Sequence, residues 1–250
     1  MPRLPHVRTP VAGAGPDRRE VIAGLAGAGA AAAVAGRAYP ATAQVVEVDL
    51  ALVLAVDCSW SVDRHEFDLQ MQGLAEAFRH PEIHRAIAGG PVGRIAVANV
   101  QWSQEDNQSL SVPWAVVGGS GDAARFAVVL ERTKRDVTDG ATAIGAAMAY
   151  CADLLRDVPL RAARKVIDIS CDGRSNRGLQ PWMARDRIIA EGMTVNGLVI
   201  LDEWPTLDIY FQRQVVGGPD HFVIVAHDYA AYGQAIYRKL LQEITGPGVS

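Results

Sequence analysis

Asp57, Ser59 and Ser61 stand at alternate positions directly after the apolar run of residues 50–56. A carboxylate and two hydroxyls are hard donors, of the kind a magnesium or manganese ion takes in near-octahedral geometry alongside retained water. Three oxygens leave such a shell incomplete, so the pattern asks for further donors from elsewhere in the chain. Signatures of other chemistry are missing. No Gly-Lys-Ser/Thr follows the glycine cluster 118–121, no Cys-x-x-Cys pair occurs, and neither Gly-x-Ser-x-Gly nor His-Glu-x-x-His is present. His80 and His84 have the four-residue spacing of a metal pair, but Pro81 lies between them.

The elements that must position these residues can be read from hydrophobic period. The run 50–56 is expected to form a strand buried on both faces and ending in the polar triad. Phe67, Met71, Leu74 and Phe78 recur at helical spacing. Residues 61–63 then fill a strand-to-helix turn, the place where open α/β sheets bind ligands. Further strands are expected over 94–102, 108–117, 165–170, 193–201 and 222–226, and helices over 122–135, 143–157, 181–191, 207–215 and 229–244. The short polar turn 103–107 favours a hairpin, which makes the third strand an antiparallel edge where Pro113 is tolerable. The order predicts an α/β fold: a doubly wound, mostly parallel six-stranded sheet with one antiparallel edge strand and helices on both faces. Ser59 and Ser61 are also candidate caps for the helix beginning near Asp63, as is Thr142 for the helix after it. Asp63, His65 and Glu66 lie in that first helical turn, where a metal-dependent hydrolase would need a base.

A strand ending in Asp-x-Ser-x-Ser resembles the opening of the metal-ion-dependent adhesion site of von Willebrand factor A-type domains. In that family a threonine from a later loop and an aspartate after the fourth strand join the site. The resemblance implies Thr142, in DGATAIGAAM, and Asp172, in KVIDISCDGRSN, as further ligands. The implied metal set is Asp57, Ser59, Ser61, Thr142 and Asp172. Trp60 departs from the family, which usually has glycine between the serines. More narrowly, LVLAVDCSWSVD, DGATAIG, VIDISCDG and VVGGPDHFV together resemble a bacterial exported family with this domain and no assigned function. A Mg2+ (or Mn2+) ion held mainly by hydroxyls and water is under-neutralised, and an acidic side chain of a protein partner can complete its shell. The expectation is a non-catalytic, metal-dependent adhesion or scaffolding module. A metal-dependent hydrolase and a degenerate domain that binds partners without metal are the alternatives.

With 49% hydrophobic and 21% charged residues, the chain can build a full core. A net charge of −4 and the lack of a basic tract argue against nucleic acid as the partner. Residues 1–43 differ in character: Arg18 and Arg19 precede an alanine- and glycine-rich stretch, and Ala41-Thr42-Ala43 is a small-residue cleavage pattern. They resemble a twin-arginine export signal, which implies a periplasmic domain over 44–250 with no stable transmembrane span after cleavage. Cys58 follows Asp57 and Cys171 precedes Asp172. If those aspartates lie level on neighbouring strands, the cysteine Cα atoms are roughly 8 Å apart, beyond disulfide reach. Buried thiols are expected there, and Cys151 belongs to the apolar stripe of a helix.

Overall fold

Residues 50–56 of β1 (Glu47–Asp57) are apolar throughout and leave no face to offer water, so this strand must lie inside a sheet. The computed structural model describes residues 45–138 and 140–246, and the expected export signal of residues 1–43 falls outside them. β1 is followed by α1 (Arg64–Arg79), α2 (Pro81–Ala88), β2 (Ile95–Trp102) and β3 (Gln108–Val117). Next come α3 (Ser120–Arg132), α4 (Ile144–Arg156), β4 (Arg161–Cys171) and α5 (Pro181–Ala190). The chain continues through β5 (Thr194–Ile200), α6 (Leu207–Gln214), β6 (Val223–Ala226) and α7 (Tyr232–Thr245). Among the described residues the strands form one six-stranded sheet in the order β3-β2-β1-β4-β5-β6. All pairings are parallel except β2 with β3, the expected antiparallel edge. Pro113 is exposed on that edge, where its missing N–H costs no ladder bond.

Alternation along β1 divides the core in two. Leu50, Leu52, Leu54 and Val56 face α1, α3 and α7, packing with Phe67, Met71, Phe126, Ile236 and Leu240. Ala51, Val53 and Ala55 face α4, α5 and α6, with Ile144, Met148, Ile188 and Phe211. Small residues on the second face let α4 approach the sheet closely. Helices therefore cover both faces, as the doubly wound reading requires.

From β1 the chain crosses to β2 on one side, whereas β4 lies on the other. The loops leaving the carboxyl ends of β1 and β4 diverge, opening the crevice that such sheets use for ligands. Asp57 ends β1 and Cys171 ends β4, so the polar turn of each strand rises into this crevice.

Several local expectations are corrected. Asp63 caps α1 in place of Ser59 or Ser61: its Oδ1 accepts from Glu66 N at 2.8 Å, while Glu66 Oε2 accepts from Asp63 N at 2.7 Å. Ala143 is the N-cap of α4, so Thr142 does not cap it. No helix is expected from the sequence over α2, because its two buried apolar residues, Ile83 and Ile87, span too few turns to show a helical period. His80 Nδ1 accepts from Glu82 N at 3.3 Å to cap α2, and His84 Nε2 lies 2.7 Å from Phe78 O. These histidines close a helix junction and do not form a metal pair.

Candidate metal centre

The backbone of residues 57–62 turns sharply after β1, and its first task is to satisfy its own polar groups. Asp57 Oδ1 accepts from Ser59 N at 2.7 Å, which folds the loop back over the strand end and leaves both serine hydroxyls available. Gln70 Nε2 reaches Asp57 O from α1 at 3.3 Å. Arg135, beyond the end of α3, clamps the same loop. Its Nη1 donates to Val62 O at 2.7 Å and its Nη2 donates to Cys58 O at 2.9 Å and Ser59 O at 3.4 Å. Gln101 of β2 in turn fixes the Arg135 segment by accepting from Asp136 N at 2.7 Å and Val137 N at 3.2 Å. Gln70 and Arg135 thus hold the loop directly, and Gln101 holds it through the Arg135 segment.

The five expected residues come from three loops at one end of the sheet. Ser61 Oγ donates to Asp172 Oδ1 at 2.9 Å, and the two serine hydroxyls lie 3.4 Å apart. Thr142 is drawn to the same place by its backbone: Thr142 N donates to Asn176 Oδ1 at 3.0 Å, and Thr142 O accepts from Asn176 N at 3.0 Å and from Ser175 Oγ at 3.2 Å. A methyl group on Gly173 would lie 3.8 Å from Thr142 Oγ1, which puts the threonine hydroxyl beside the residue after Asp172. The Thr142 loop also meets the serine loop, because Trp60 N donates to Gly140 O at 3.0 Å. Gly140 sits at φ +117°, where a side chain would be strained and would strike Ser103 Oγ. The Trp60 side chain is 80% exposed at the crest.

Two residues at the centre escaped the sequence reading. The register pairs Val56 with Ser170, so Asp57 lies beside Cys171 and not level with Asp172. Cys171 Sγ donates to Asp57 Oδ2 at 2.8 Å. Cys58 and Cys171 consequently face opposite sides of the sheet, each in a different half of the core, and all three cysteines are free and buried. That opposition, rather than a two-residue offset, keeps them apart. Tyr229, in the turn before α7, donates from its hydroxyl to Asp172 Oδ2 at 2.9 Å. Cys171 carried a signal, its place next to Asp172. Tyr229 and Arg135 carried none, since each acts across more than fifty residues.

Electrostatics make this end of the sheet receptive to a cation. Asp57 is 1% exposed and Asp172 2%. Burial first, then the neighbouring Asp172 charge, pushes the Asp57 carboxyl up to about 7. Burial also raises Asp172, opposed by the hydrogen bonds from Ser61 and Tyr229. Burial, then the charges of Asp172 and Asp57, raises the Tyr229 phenol, so it remains a donor. Ligand atoms of Asp57, Cys171 and Asp172 lie within 4.8 Å of one another. Two buried acids that repel each other, ringed by hydroxyls, form a donor set fit for a small divalent ion, which would remove the repulsion. Among the described residues neither acid has a Lys, Arg or His within ion-pair distance.

Residues 47–248 match the model of DUF1194, described as a protein of unknown function. The chain belongs to the DUF1194 family. Among curated proteins no match was found. Solved structures place this DUF1194 fold among von Willebrand A-type domains. Proximal thread matrix protein 1 of the mussel byssus superposes with a TM-score of 0.59 at 13% identity, covering 80% of this chain and 49% of that one. The von Willebrand factor type A protein of Catenulispora acidiphila gives 0.54 at 16% identity, covering 82% and 44%. The manganese-loaded TRAP protein of Plasmodium vivax gives 0.50 at 14% identity, covering 80% and 74%. A further form of the mussel protein, at 0.52 and 14% identity over 80% and 48%, is described with a zinc-occupied MIDAS motif. The chain spans about half the length of the first of these relatives. At such identities the likeness establishes the fold. Among the described residues no helix is long and apolar enough to cross a membrane.

Proposed function

We propose that this domain is a divalent-cation-dependent protein-binding module, with Asp57, Ser59, Ser61, Thr142 and Asp172 holding the ion. The observation that carries this reading is the bond from Ser61 Oγ to Asp172 Oδ1 at 2.9 Å, which joins the strand-end triad to an acid far along the chain at the switch point. Magnesium and manganese suit the hydroxyl and carboxylate oxygens. When bound, the ion supplies an open coordination position. The chain's own residues orient the hydroxyls, exclude bulk water from the two acids, and present Trp60 as an apolar contact beside the incoming group. A partner's Asp or Glu side chain is the complementary ligand. The mussel and Plasmodium proteins, described with zinc and manganese, lend support by analogy of fold.

The reading is non-catalytic. Asp63 and Glu66 are spent on each other's backbone in the capping box, and His65 is exposed, which weakens a hydrolase. The module is proposed to act in the periplasm after export through the Arg18-Arg19 signal, a point that N-terminal sequencing of the periplasmic protein would check. Capture of partners from periplasmic extract, with and without chelator, tests the function. Loss of capture on chelation and in Asp57→Ala is expected. Capture indifferent to both would overturn the proposal, and turnover of a small substrate without any partner would replace it with the hydrolase.

A further inference from the structure

Beside the metal centre lies a second hollow whose chemistry is cationic. It has a volume of about 230 Å³ and is lined by Arg174, Thr206, Ile209, Tyr210, Arg213 and Gln214. Arg174 follows Asp172 by two residues. Its guanidinium lies 5.1 Å from the Trp204 ring centre and 5.5 Å from that of Tyr210, held against both aromatic faces. Nη2 donates to Thr206 Oγ1 at 2.8 Å. Of the five N–H groups that a guanidinium carries, this bond uses one. No carboxylate of the described residues lies within ion-pair distance of Arg174. Its side chain is nevertheless held in place by its neighbours. Arg213 also lines the hollow, and its backbone carbonyl accepts from Arg185 Nη1 at 2.9 Å. Tyr210 OH accepts from Ser175 N at 3.3 Å, so its hydroxyl proton remains to be donated.

One loop separates this hollow from the metal ligands. Ser175 faces both ways: its hydroxyl donates to Thr142 O at 3.2 Å and its N–H to Tyr210 OH. Consecutive Cα atoms are about 3.8 Å apart, so the two steps from Asp172 to Arg174 span at most roughly 7 Å. Residues i and i+2 of an extended peptide share one face about 7 Å apart, so two such side chains can reach adjoining sites.

We infer that Arg174 and Arg213 form a second acid-binding subsite, and that the partner is an extended segment presenting two carboxylates, one to the ion and one to the Arg174 hollow. This deepens the proposed function and rests on it. The hollow is the size of a side chain rather than of a drug-like ligand, which normally occupies about 300 Å³ or more. Two planar guanidiniums and a phenol hydroxyl match the two oxygens of a carboxylate in a fork. The partner's first acid alone gains the ion, and the second fixes the direction of the chain across the crest.

Two fluorescent peptides test this: one with Asp at two positions separated by one glycine, and the same peptide with the second Asp replaced by Asn. Binding to the full chain is measured by anisotropy with magnesium or with chelator. The diacidic peptide is expected to bind about tenfold or more tighter, as a charge-assisted pair at a preorganised site provides. Arg174→Gln and Arg213→Gln should each shrink that gap without altering affinity for the monoacidic peptide, while thermal melts verify that both variants are folded. Equal, magnesium-dependent binding of the two peptides would sink the second subsite and leave the proposed function standing. A gap that persists in chelator and vanishes in Arg174→Gln would keep the subsite and remove the ion. Binding of neither peptide overturns both.

Discussion

Asp57 bears conflicting demands: it orders its own loop through Ser59 N, accepts a hydrogen bond from the Cys171 thiol, and faces the charge of Asp172 in a buried setting. A bound cation would settle the conflict. Ligand at a hundred times its Kd adds about 2.7 kcal/mol to folding, and for a domain of this size each kcal/mol moves Tm by about 2–4 °C. Saturating magnesium or manganese should therefore raise the melting temperature by roughly 5–10 °C. Asp57→Asn should abolish that rise yet leave the chelated protein at least as stable as wild type, because one of two repelling charges has gone; calorimetry with and without cation decides it. Arg135 belongs to the same scale. Its three carbonyl acceptors in residues 58–62 lose their donor in Arg135→Met, and positioning residues of this kind typically cost 10–100-fold in metal affinity. Titration calorimetry showing unchanged affinity would deny Arg135 that role.

Elements matter through where they begin and how closely they approach. The first turn of α4 abuts the loop after β4: a methyl on Gly145 would stand 2.1 Å from Leu179 O, a backbone atom with nowhere to go. Gly145→Ala should lower the urea midpoint by an amount equivalent to about 1–3 kcal/mol and, by displacing the Thr142 loop, weaken cation binding as well. Asp63→Ala makes the contrast. Losing the α1 cap should cost about 1 kcal/mol with cation affinity unchanged, since neither partner of the capping box touches the metal cluster. Element types were readable because apolar period is local, as in β1 and α1. α2 was not, because its eight residues give the period too few repeats, though His80-Pro81 marks its start.

Across the whole molecule, two buried carboxyls, Asp57 at the crest and Asp168 in the core, tie stability to pH. Asp168 of β4, four residues before Asp172, pairs with Lys239 of α7 at 2.7 Å, and Lys239 pairs with Glu243 at 2.5 Å, all fully buried. Burial and Glu243 raise Asp168 to about 7 despite Lys239, and Asp57 stands equally high. The folded chain thus holds protons that the unfolded chain releases between pH about 4 and about 7. The stability these two carboxyls contribute is fully present below that window and is lost as pH rises through it. A bound cation keeps Asp57 ionised and removes its share of the slope, whereas the Asp168 share persists. Urea midpoints in chelator should fall more steeply between pH about 5 and about 7 than midpoints in magnesium; parallel slopes would mean the ion does not reach Asp57. By itself the sequence determined the buried strand, the polar triad at its end, and the order of the strands and of the helices other than α2, all of which follow from local period and residue chemistry. Thr142 and Asp172 were added to the expected site only by the resemblance. Only the tertiary structure decided that Asp57 lies beside Cys171, that Arg135 and Tyr229 reach the site, and that Arg174 is stacked and unpaired among the described residues. A one-residue register, or a side chain bonding across a hundred residues, is set by how both faces of the sheet pack at once, and no stretch of sequence contains both faces.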